Sequence, residues 1–146
     1  EILKKSETHN CKIYYPLDVV VSKTLDGNGT IKEINEVNNN EIILDIGPKT
    51  IESIKKIIND TKTVLWNGPA GYFENPNFAN GTKKILEIIA NKRLKGKIYA
   101  VAGGGETVAV INKFNKLDTF NFVSTAGGAF LEYLEGKELP GISALN

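Results

Sequence analysis

The sequence has few of the side chains that build disulfides, zinc sites or histidine-dependent catalysis. Its 146 residues include one cysteine and one histidine and no methionine. A lone Cys11 cannot form an intrachain disulfide, which is typical of proteins in a reducing compartment. A lone His9 excludes a zinc site with several histidines and disfavours a Ser-His-Asp triad.

Strong net charge and long apolar runs are missing as well. The 18 basic and 17 acidic residues leave a net charge of +1, so no long-range field attracts nucleic acid or an anionic membrane. No apolar run approaches the roughly 20 residues of a membrane helix. We therefore predict one globular domain with neither nucleic acid nor membrane as a partner. The opening EILKKSETHN lacks methionine and has the pattern of a helix end, so we expect a piece of a longer protein.

Short apolar runs alternate along the chain with segments of helical periodicity. The runs predict five strands, within residues 11–23, 41–48, 62–69, 97–105 and 120–128. Apolar residues at helical spacing predict a helix after each of the last four strands: Ile51, Ile54, Ile57 and Ile58; Ile85, Leu86, Ile88 and Ile89; Val108, Ile111 and Phe114; Phe130, Leu131 and Leu134.

This alternation of strand and helix is the signature of βαβ units and a parallel sheet. The predicted fold class is α/β, a Rossmann-like open parallel sheet with helices on both faces in a three-layer αβα arrangement. Thr50 is the expected N-cap of the first of these helices. Phe130, Leu131 and Leu134 are expected to face the core from the last one.

One segment imitates a calcium-binding loop. TLDGNGTIKEIN, residues 24–35, has a glycine near the right place for an EF-hand. However, Thr24 and Asn35 stand where that loop needs an acid and a bidentate glutamate. The segment also follows a strand and not a helix. We therefore interpret it as a glycine-rich turn between strands.

Three strands of the predicted sheet end in glycine clusters. These are WNGPAGYFE (66–74), AGGGET (102–107) and STAGGA (124–129). In open α/β sheets, ligands bind outside the carboxyl ends of the strands. Three such loops at one edge predict that a large polar ligand lies against bare backbone.

The AGGGET loop could receive a phosphate. Its glycines would let the backbone approach closely, and a helix starting at Glu106 or Thr107 would offer free N–H groups and a positive dipole. No lysine follows the glycines, so this is not a Walker A loop. Glu106 beside a phosphate would be repulsive without a cation. It therefore either serves the helix dipole or holds Mg²⁺ on the phosphates.

Each of the other two loops can be interpreted either as part of a binding site or as a turn with a purely structural role. In the 66–74 loop, Asn67 and Pro69 could line a ligand and Glu74 could accept hydrogen bonds from a ribose diol. The alternative is a simple strand-to-helix loop with Glu74 in solvent. In the 124–129 loop, Gly127 and Gly128 could present N–H groups to an anion. The alternative is a tight turn that needs small residues for packing.

Taken together, these motifs in this order and spacing resemble the C-terminal part of the phosphoglycerate kinase family. The segments that carry the resemblance are YPLDVVV (15–21), LDIGPKT (44–50), VLWNGPAGYFE (64–74), AVAGGGETVA (100–109) and VSTAGGAFLEYLEGKELPGISAL (123–145). The resemblance covers almost the whole chain. It implies that residues 1–146 are part of a C-terminal nucleotide-binding domain whose beginning and N-terminal lobe are absent.

The resemblance implies a function. Members of this family are two-lobed, and they transfer a phosphoryl group between 1,3-bisphosphoglycerate and ADP, which gives 3-phosphoglycerate and ATP in glycolysis. The C-terminal lobe binds Mg-ADP or Mg-ATP, and the N-terminal lobe binds the phosphoglycerate. The implied cofactors are Mg²⁺ and ATP/ADP, and the implied parent is a cytoplasmic monomer.

The resemblance also implies site residues. The nucleotide-binding residues are Leu44, Asn67, Pro69, Glu74, Gly104, Gly105, Glu106 and Thr107. Glu106 would hold the Mg²⁺, Glu74 the ribose hydroxyls and Leu44 the adenine. Gly127 and Gly128 would face the transferred phosphoryl group as the catalytic glycines.

Three positions depart from the family pattern. The family usually has aspartate at Glu106, a third glycine at Ala126 and a glycine near the adenine at Ile43. Arg93 is the only arginine, so no basic patch for the acid substrate is present, and this chain alone is expected to be inactive. Two alternatives stay open, a non-catalytic nucleotide-binding module and a folded fragment with a structural role. A dehydrogenase is disfavoured because no strand-GxGxxG-helix unit occurs.

Overall fold

A computed structural model describes residues 1–145; Asn146, the last residue of the predicted domain, lies outside it. The strands are β1 (Asp18–Ser22), β2 (Thr30–Glu33), β3 (Ile42–Ile46), β4 (Thr63–Asn67), β5 (Tyr99–Gly103) and β6 (Phe122–Ser124). The helices are α1 (Ile2–Thr8), α2 (Pro48–Asp60), α3 (Asn80–Leu94), α4 (Gly105–Lys113), α5 (Gly128–Leu134) and α6 (Pro140–Ser143). Short 3₁₀ turns occupy Ile34–Glu36, Pro76–Phe78 and Leu117–Thr119.

The strands form two sheets. Strands β4, β5 and β6 pair in parallel in that order, and α3 and α4 lie on the connections between them, so the predicted α/β class is confirmed. The prediction that the first two apolar runs join this parallel sheet was wrong. They form β1 and β3, which pair antiparallel with each other, and β2 pairs antiparallel with the other edge of β1.

The missed strand β2 lies in the segment that imitates a calcium loop. Residues 23–29 form the predicted turn, and Thr30 to Glu33 then return along β1 as an antiparallel partner. A β1–turn–β2 connection this short closes an antiparallel pair directly, whereas a parallel pair needs a crossover of a dozen or more residues. The connection length therefore explains why this part of the chain is antiparallel.

The core lies on one face of the parallel sheet. Trp66, Ala100 and Ala102 point to that face and pack with buried residues of α2, α3 and α4. On the opposite face, Leu65 and Phe122 are exposed, and the Phe130 ring of α5 lies against Gly103. Leu131 and Leu134 of α5 are exposed, so the prediction that they face the core was wrong.

Two buried aspartates take the place of local helix caps. Gly47, and not the predicted Thr50, is the N-cap of α2, and it has no side chain that could accept a hydrogen bond. The carboxylate of Asp18 on β1 instead accepts the N–H groups of Lys49 at 3.0 Å and Thr50 at 2.8 Å. The Thr50 hydroxyl lies 2.8 Å from the same carboxylate. Asp18 thus satisfies the free N–H groups of the first turn of α2 from a neighbouring strand.

Asp45 on β3 does the same for α3. Its carboxylate accepts the N–H of Gly81 at 2.8 Å and the N–H of Ile46 at 2.8 Å. Burial raises the pKa of Asp45, and hydrogen bonds from the backbone of Gly81, Ile46 and Asn80 oppose that rise. This carboxylate joins the antiparallel sheet to the helix that covers the parallel one.

Replacing Asp18 with Asn should destabilise the fold by about 2 kcal/mol at neutral pH. The N–H groups of Lys49 and Thr50 donate to different oxygens of the carboxylate, and asparagine replaces one of these acceptors with an NH₂ group that can only donate. Burial raises the pKa of Asp18, but hydrogen bonds from Lys49 and Thr50 outweigh it and hold the pKa below its ordinary value of 3.8. The stabilisation is therefore present above that pH and is lost as pH falls through the lowered pKa. Urea unfolding of both proteins between about pH 7 and pH 2 measures this difference.

The matched control is Asp26→Asn, which removes the same charge from an exposed position. It should change the unfolding free energy by less than about 0.5 kcal/mol. An equal loss for both variants, or a loss for Asp18→Asn that does not shrink at low pH, would contradict the capping role.

Candidate functional site

The three glycine loops meet in one cleft. It has a volume of about 240 Å³ at the carboxyl ends of the parallel strands. Its lining residues are Asn67, Gly68, Gly104, Gly105, Glu106, Thr107, Gly127, Gly128 and Leu131. Seven of the ten predicted site residues therefore lie together in this cleft. Their common position follows from the parallel sheet, which brings the ends of β4, β5 and β6 to one edge.

A glycine is required at the turn between β5 and α4. Gly104 has φ +93°, in the region that side chains rarely adopt. A Cβ there would lie 3.2 Å from the Asn67 amide nitrogen. Gly104 thus lets the chain turn from strand into helix while Asn67 stays against it.

The first turn of α4 faces the cleft. Gly104 is the N-cap, and the first helical hydrogen bond runs from the N–H of Val108 to the carbonyl of Gly104 at 3.0 Å. The N–H groups of Gly105, Glu106 and Thr107 therefore precede the helical hydrogen-bond ladder. Such groups, together with the positive end of the helix dipole, favour an anion.

A second cavity adjoins the first. It has a volume of about 390 Å³ and is lined in part by Ile43, Leu44, Pro69, Tyr72 and Glu106. Glu106 is exposed and lines both cavities, so this residue lies where they meet. The N–H of Tyr72 donates to the carbonyl of Leu44 at 2.7 Å, which holds the 68–74 loop against β3.

Two buried threonines fix the loop after β4. The Thr107 hydroxyl accepts the N–H of Gly68 at 2.6 Å, and Thr107 is fully buried. The Thr82 hydroxyl of α3 accepts the N–H groups of Ala70 at 3.0 Å and Gly71 at 3.2 Å. Thr107 was predicted as a nucleotide ligand, and its hydroxyl oxygen already holds the β4 loop. Sequence reasoning missed Thr82 because a threonine inside a helix gives no local signal of a distant backbone partner.

The remaining predicted residues are more dispersed. Leu44 and Pro69 line the second cavity. Glu74 is exposed and is not among the residues that line either of the two cavities described above. Sequence reasoning also missed Asp45, which lines the second cavity; a lone acid inside the apolar run IILDI was a signal that could have found it.

Two features are absent from residues 1–145, a metal-binding cluster of protein side chains and a membrane-spanning helix. No three His, Cys, Asp or Glu side chains lie together as a protein cage for a metal ion would require. None of the helices in that range combines the length and apolarity needed to cross a membrane.

Comparison with known proteins identifies the family. A family model described as Phosphoglycerate kinase matches residues 1–137. The chain belongs to the phosphoglycerate kinase family. Among curated members, the phosphoglycerate kinase of Orientia tsutsugamushi (strain Ikeda) is 47% identical over 147 residues, which covers 99% of this chain and 36% of that relative. The phosphoglycerate kinase of Xanthobacter flavus is 43% identical and is covered to 37% of its length.

Solved structures of the family have the same fold. The structure of phosphoglycerate kinase from Coxiella burnetii superposes with a TM-score of 0.88 at 42% identity, covering 99% of this chain and 37% of that one. The phosphoglycerate kinase from Pyrococcus horikoshii OT3 gives a TM-score of 0.80 at 30% identity, covering 97% and 34%. The chain thus spans little more than a third of the length of the phosphoglycerate kinases it matches.

Thr107→Val should release the loop after β4, since Gly68 would lose its hydrogen-bond acceptor. We expect a loss of about 1–2 kcal/mol in the free energy of unfolding and faster amide hydrogen exchange at Gly68. Thr107→Ser keeps the hydroxyl and is the matched control, with Gly68 exchange near that of the unchanged chain. Equal exchange at Gly68 in all three proteins would mean that this hydrogen bond does not hold the loop.

Proposed function

We propose that this chain forms most of the Mg-nucleotide site of an enzyme that transfers a phosphoryl group between 1,3-bisphosphoglycerate and ADP. One observation carries the proposal: three glycine loops and the first turn of α4 enclose one cleft of about 240 Å³. Family membership supports the reaction, which gives 3-phosphoglycerate and ATP. The whole activity belongs to a protein nearly three times as long as this chain, judging from its relatives.

The phosphates are assigned to the glycine cleft. Gly104 and Gly105 have no side chain that would keep a phosphate from the backbone, and the N–H groups at the start of α4 can donate to its oxygens. A Cβ on Gly105 would meet no atom within 4 Å, so the space in front of it is open. Phosphoryl transfer depends mainly on positioning and on neutralising charge, and such a backbone cradle supplies the positioning.

The residues present fit a Mg²⁺ ion held partly by the nucleotide. Mg²⁺ usually keeps several waters and binds one or two carboxylates plus substrate phosphates, so it needs no cage of several acids. Glu106 is an exposed carboxylate that borders the glycine cleft, and we assign it as the protein ligand of the metal. When bound, the ion would neutralise phosphate charge that the Glu106 carboxylate would otherwise repel.

The adenosine is assigned to the second cavity. Leu44, Pro69 and Tyr72 give it an apolar wall, and it meets the phosphate cleft at Glu106. Ile43 also lines this cavity, at the position where the family pattern has a glycine. Glu74 as the ribose ligand rests on the motif resemblance, since Glu74 is exposed and is not among the residues that line this cavity.

Gly127 and Gly128 are proposed to face the transferred phosphoryl group. They line the glycine cleft together with the residues of the β5 loop, and Gly127 has φ +56°. The acid substrate would bind to a part of the protein outside this chain, because Arg93 is the only arginine here. We expect the enzyme in the cytoplasm, a reducing compartment that suits one exposed thiol at Cys11.

Calorimetric titration of ADP into the chain and into Glu106→Gln, with and without Mg²⁺, tests the metal assignment. Mg²⁺ should strengthen ADP binding to the unchanged chain, and Glu106→Gln should remove most of that gain, about tenfold or more in Kd. Binding without Mg²⁺ should stay equal or improve, since a repulsive carboxylate is gone. Glu7→Gln, on the exposed helix α1, is the charge-matched control.

An equal loss of affinity with and without Mg²⁺ would contradict Glu106 as the metal ligand. No ADP binding by the folded chain, with or without the metal, would contradict the nucleotide site itself.

Two alanine substitutions separate binding from folding at the glycine loop. Gly105→Ala should leave stability unchanged or raise it by up to about 1 kcal/mol, because alanine favours a helix. Its methyl group would occupy the open space of the phosphate, so ADP affinity should fall about tenfold or more. Gly104→Ala should destabilise the fold by about 1–2 kcal/mol, because φ +93° is strained for alanine. Thermal unfolding of both variants measures the change in stability, and ADP titration measures the change in affinity. An unchanged ADP affinity in Gly105→Ala would contradict the assignment of the phosphates to the glycine cleft.

A further inference from the structure

A further cavity, separate from the glycine cleft and from the second cavity beside it, is lined by lysines. It is a cavity of about 510 Å³ whose lining residues are Lys55, Asn59, Ile88, Asn91, Lys92, Lys95 and Lys97. These residues belong to α2, α3 and the turn after α3. That turn leads into β5 at Tyr99, so the cavity lies near the amino ends of the parallel strands, and the glycine cleft lies at their carboxyl ends.

Lys92 is a buried lysine that lines the cavity, and hydrogen bonds to the backbone hold its ammonium group in place. Its side chain is buried, and its Nζ donates to the carbonyl of Asn59 at 2.8 Å and also to the carbonyls of Ile58 and Thr61. Lys92 therefore satisfies the last carbonyls of α2 and compensates the negative end of its dipole. The other lysines of the cavity are not needed for that task.

The turn after α3 places two more lysines at the cavity. Gly96 has φ +66°. Its N–H donates to the carbonyl of Arg93 at 2.8 Å, and the N–H of Lys97 donates to the carbonyl of Lys92 at 3.3 Å. This is the hydrogen-bond pattern of a Schellman turn, which ends a helix in a defined geometry. The turn thus places Lys95 and Lys97 on either side of a glycine and against the same cavity.

Positive charge is concentrated in this cavity. The whole sequence is almost neutral, with 18 basic and 17 acidic residues, yet four lysines and no acid line this cavity. Lys55 is offset by Glu52 at 3.1 Å. Among residues 1–145, Lys95 and Lys97 have no carboxylate within ion-pair distance, and the Asn59 and Asn91 amides add neutral donors.

We propose that this lysine cavity is a second anion site, separate from the glycine cleft, for a small multivalent anion of the oligophosphate class. Several ammonium groups in one concavity suit an anion with several charges, since each group interacts with it as a point charge. A single phosphate would engage only part of the cavity.

Tripolyphosphate, without metal, is the probe. It is titrated into the ¹⁵N-labelled chain at low ionic strength, because at 0.1 M salt the interactions between exposed charges more than about 10 Å apart are largely screened. Amide shifts locate the binding, at Asn59, Asn91 and Gly96 for the lysine cavity and at Gly104 and Gly127 for the glycine cleft. The Kd for each set of amides is obtained separately from the same titration.

The test variant is Lys95→Gln with Lys97→Gln, and the control is Lys12→Gln with Lys23→Gln. Both variants remove two positive charges from exposed positions, but Lys12 and Lys23 lie outside the cavity. The test pair should weaken binding at Asn59, Asn91 and Gly96 about tenfold or more, and leave any binding at Gly104 and Gly127 within about twofold. The control pair should change both sets by less than about threefold.

Shifts confined to the glycine cleft, or equal weakening by the test and control pairs, would overturn the proposal. Loss of ADP binding bears only on the nucleotide site, so the failure of one assignment can be told from the failure of the other.

Discussion

The candidate site depends on the turn that joins β5 directly to α4. Gly104 adopts φ +93° there, so the first N–H groups of α4 appear at the end of the strand without an intervening loop. Thr107, one turn into the same helix, accepts the N–H of Gly68 and so joins this turn to the end of β4. A side chain at Gly104 would strain the backbone and press on Asn67. One turn thereby sets both the anion-binding backbone and the position of the neighbouring loop.

Buried carboxylates connect this site to the rest of the fold. Asp18 and Asp45 lie on paired antiparallel strands, and each satisfies the first turn of a different helix. A charge inside a protein is costly unless hydrogen bonds compensate it, and here the backbone donors are ones that a helix leaves free anyway. Asp45 also lies against Gly71, in the loop that borders the second cavity. The antiparallel sheet thus acts as a frame that positions α2 and α3 over the parallel one.

The α/β class and the meeting of the glycine loops could be predicted from the sequence, because strand-helix alternation forces the ends of β4, β5 and β6 to one edge. The antiparallel pairing of β1 and β3 could not, because an apolar run does not reveal its direction. Nor could the capping of α2 by Asp18, 32 residues before Thr50, because the partner is distant in sequence. Leu131 and Leu134 follow a helical apolar pattern and are still exposed, since periodicity identifies a face and not what covers it.

The most direct test of the account is an amide NMR titration of the chain with Mg-ADP. The largest shifts should fall on Gly68, on Gly104 to Thr107 and on Gly127 and Gly128, because those backbone groups line the cleft that we assign to the phosphates. Shifts that spare these residues, or that fall mainly on the lysine cavity around Lys95 and Lys97, would contradict the claim that the three glycine loops form the nucleotide site.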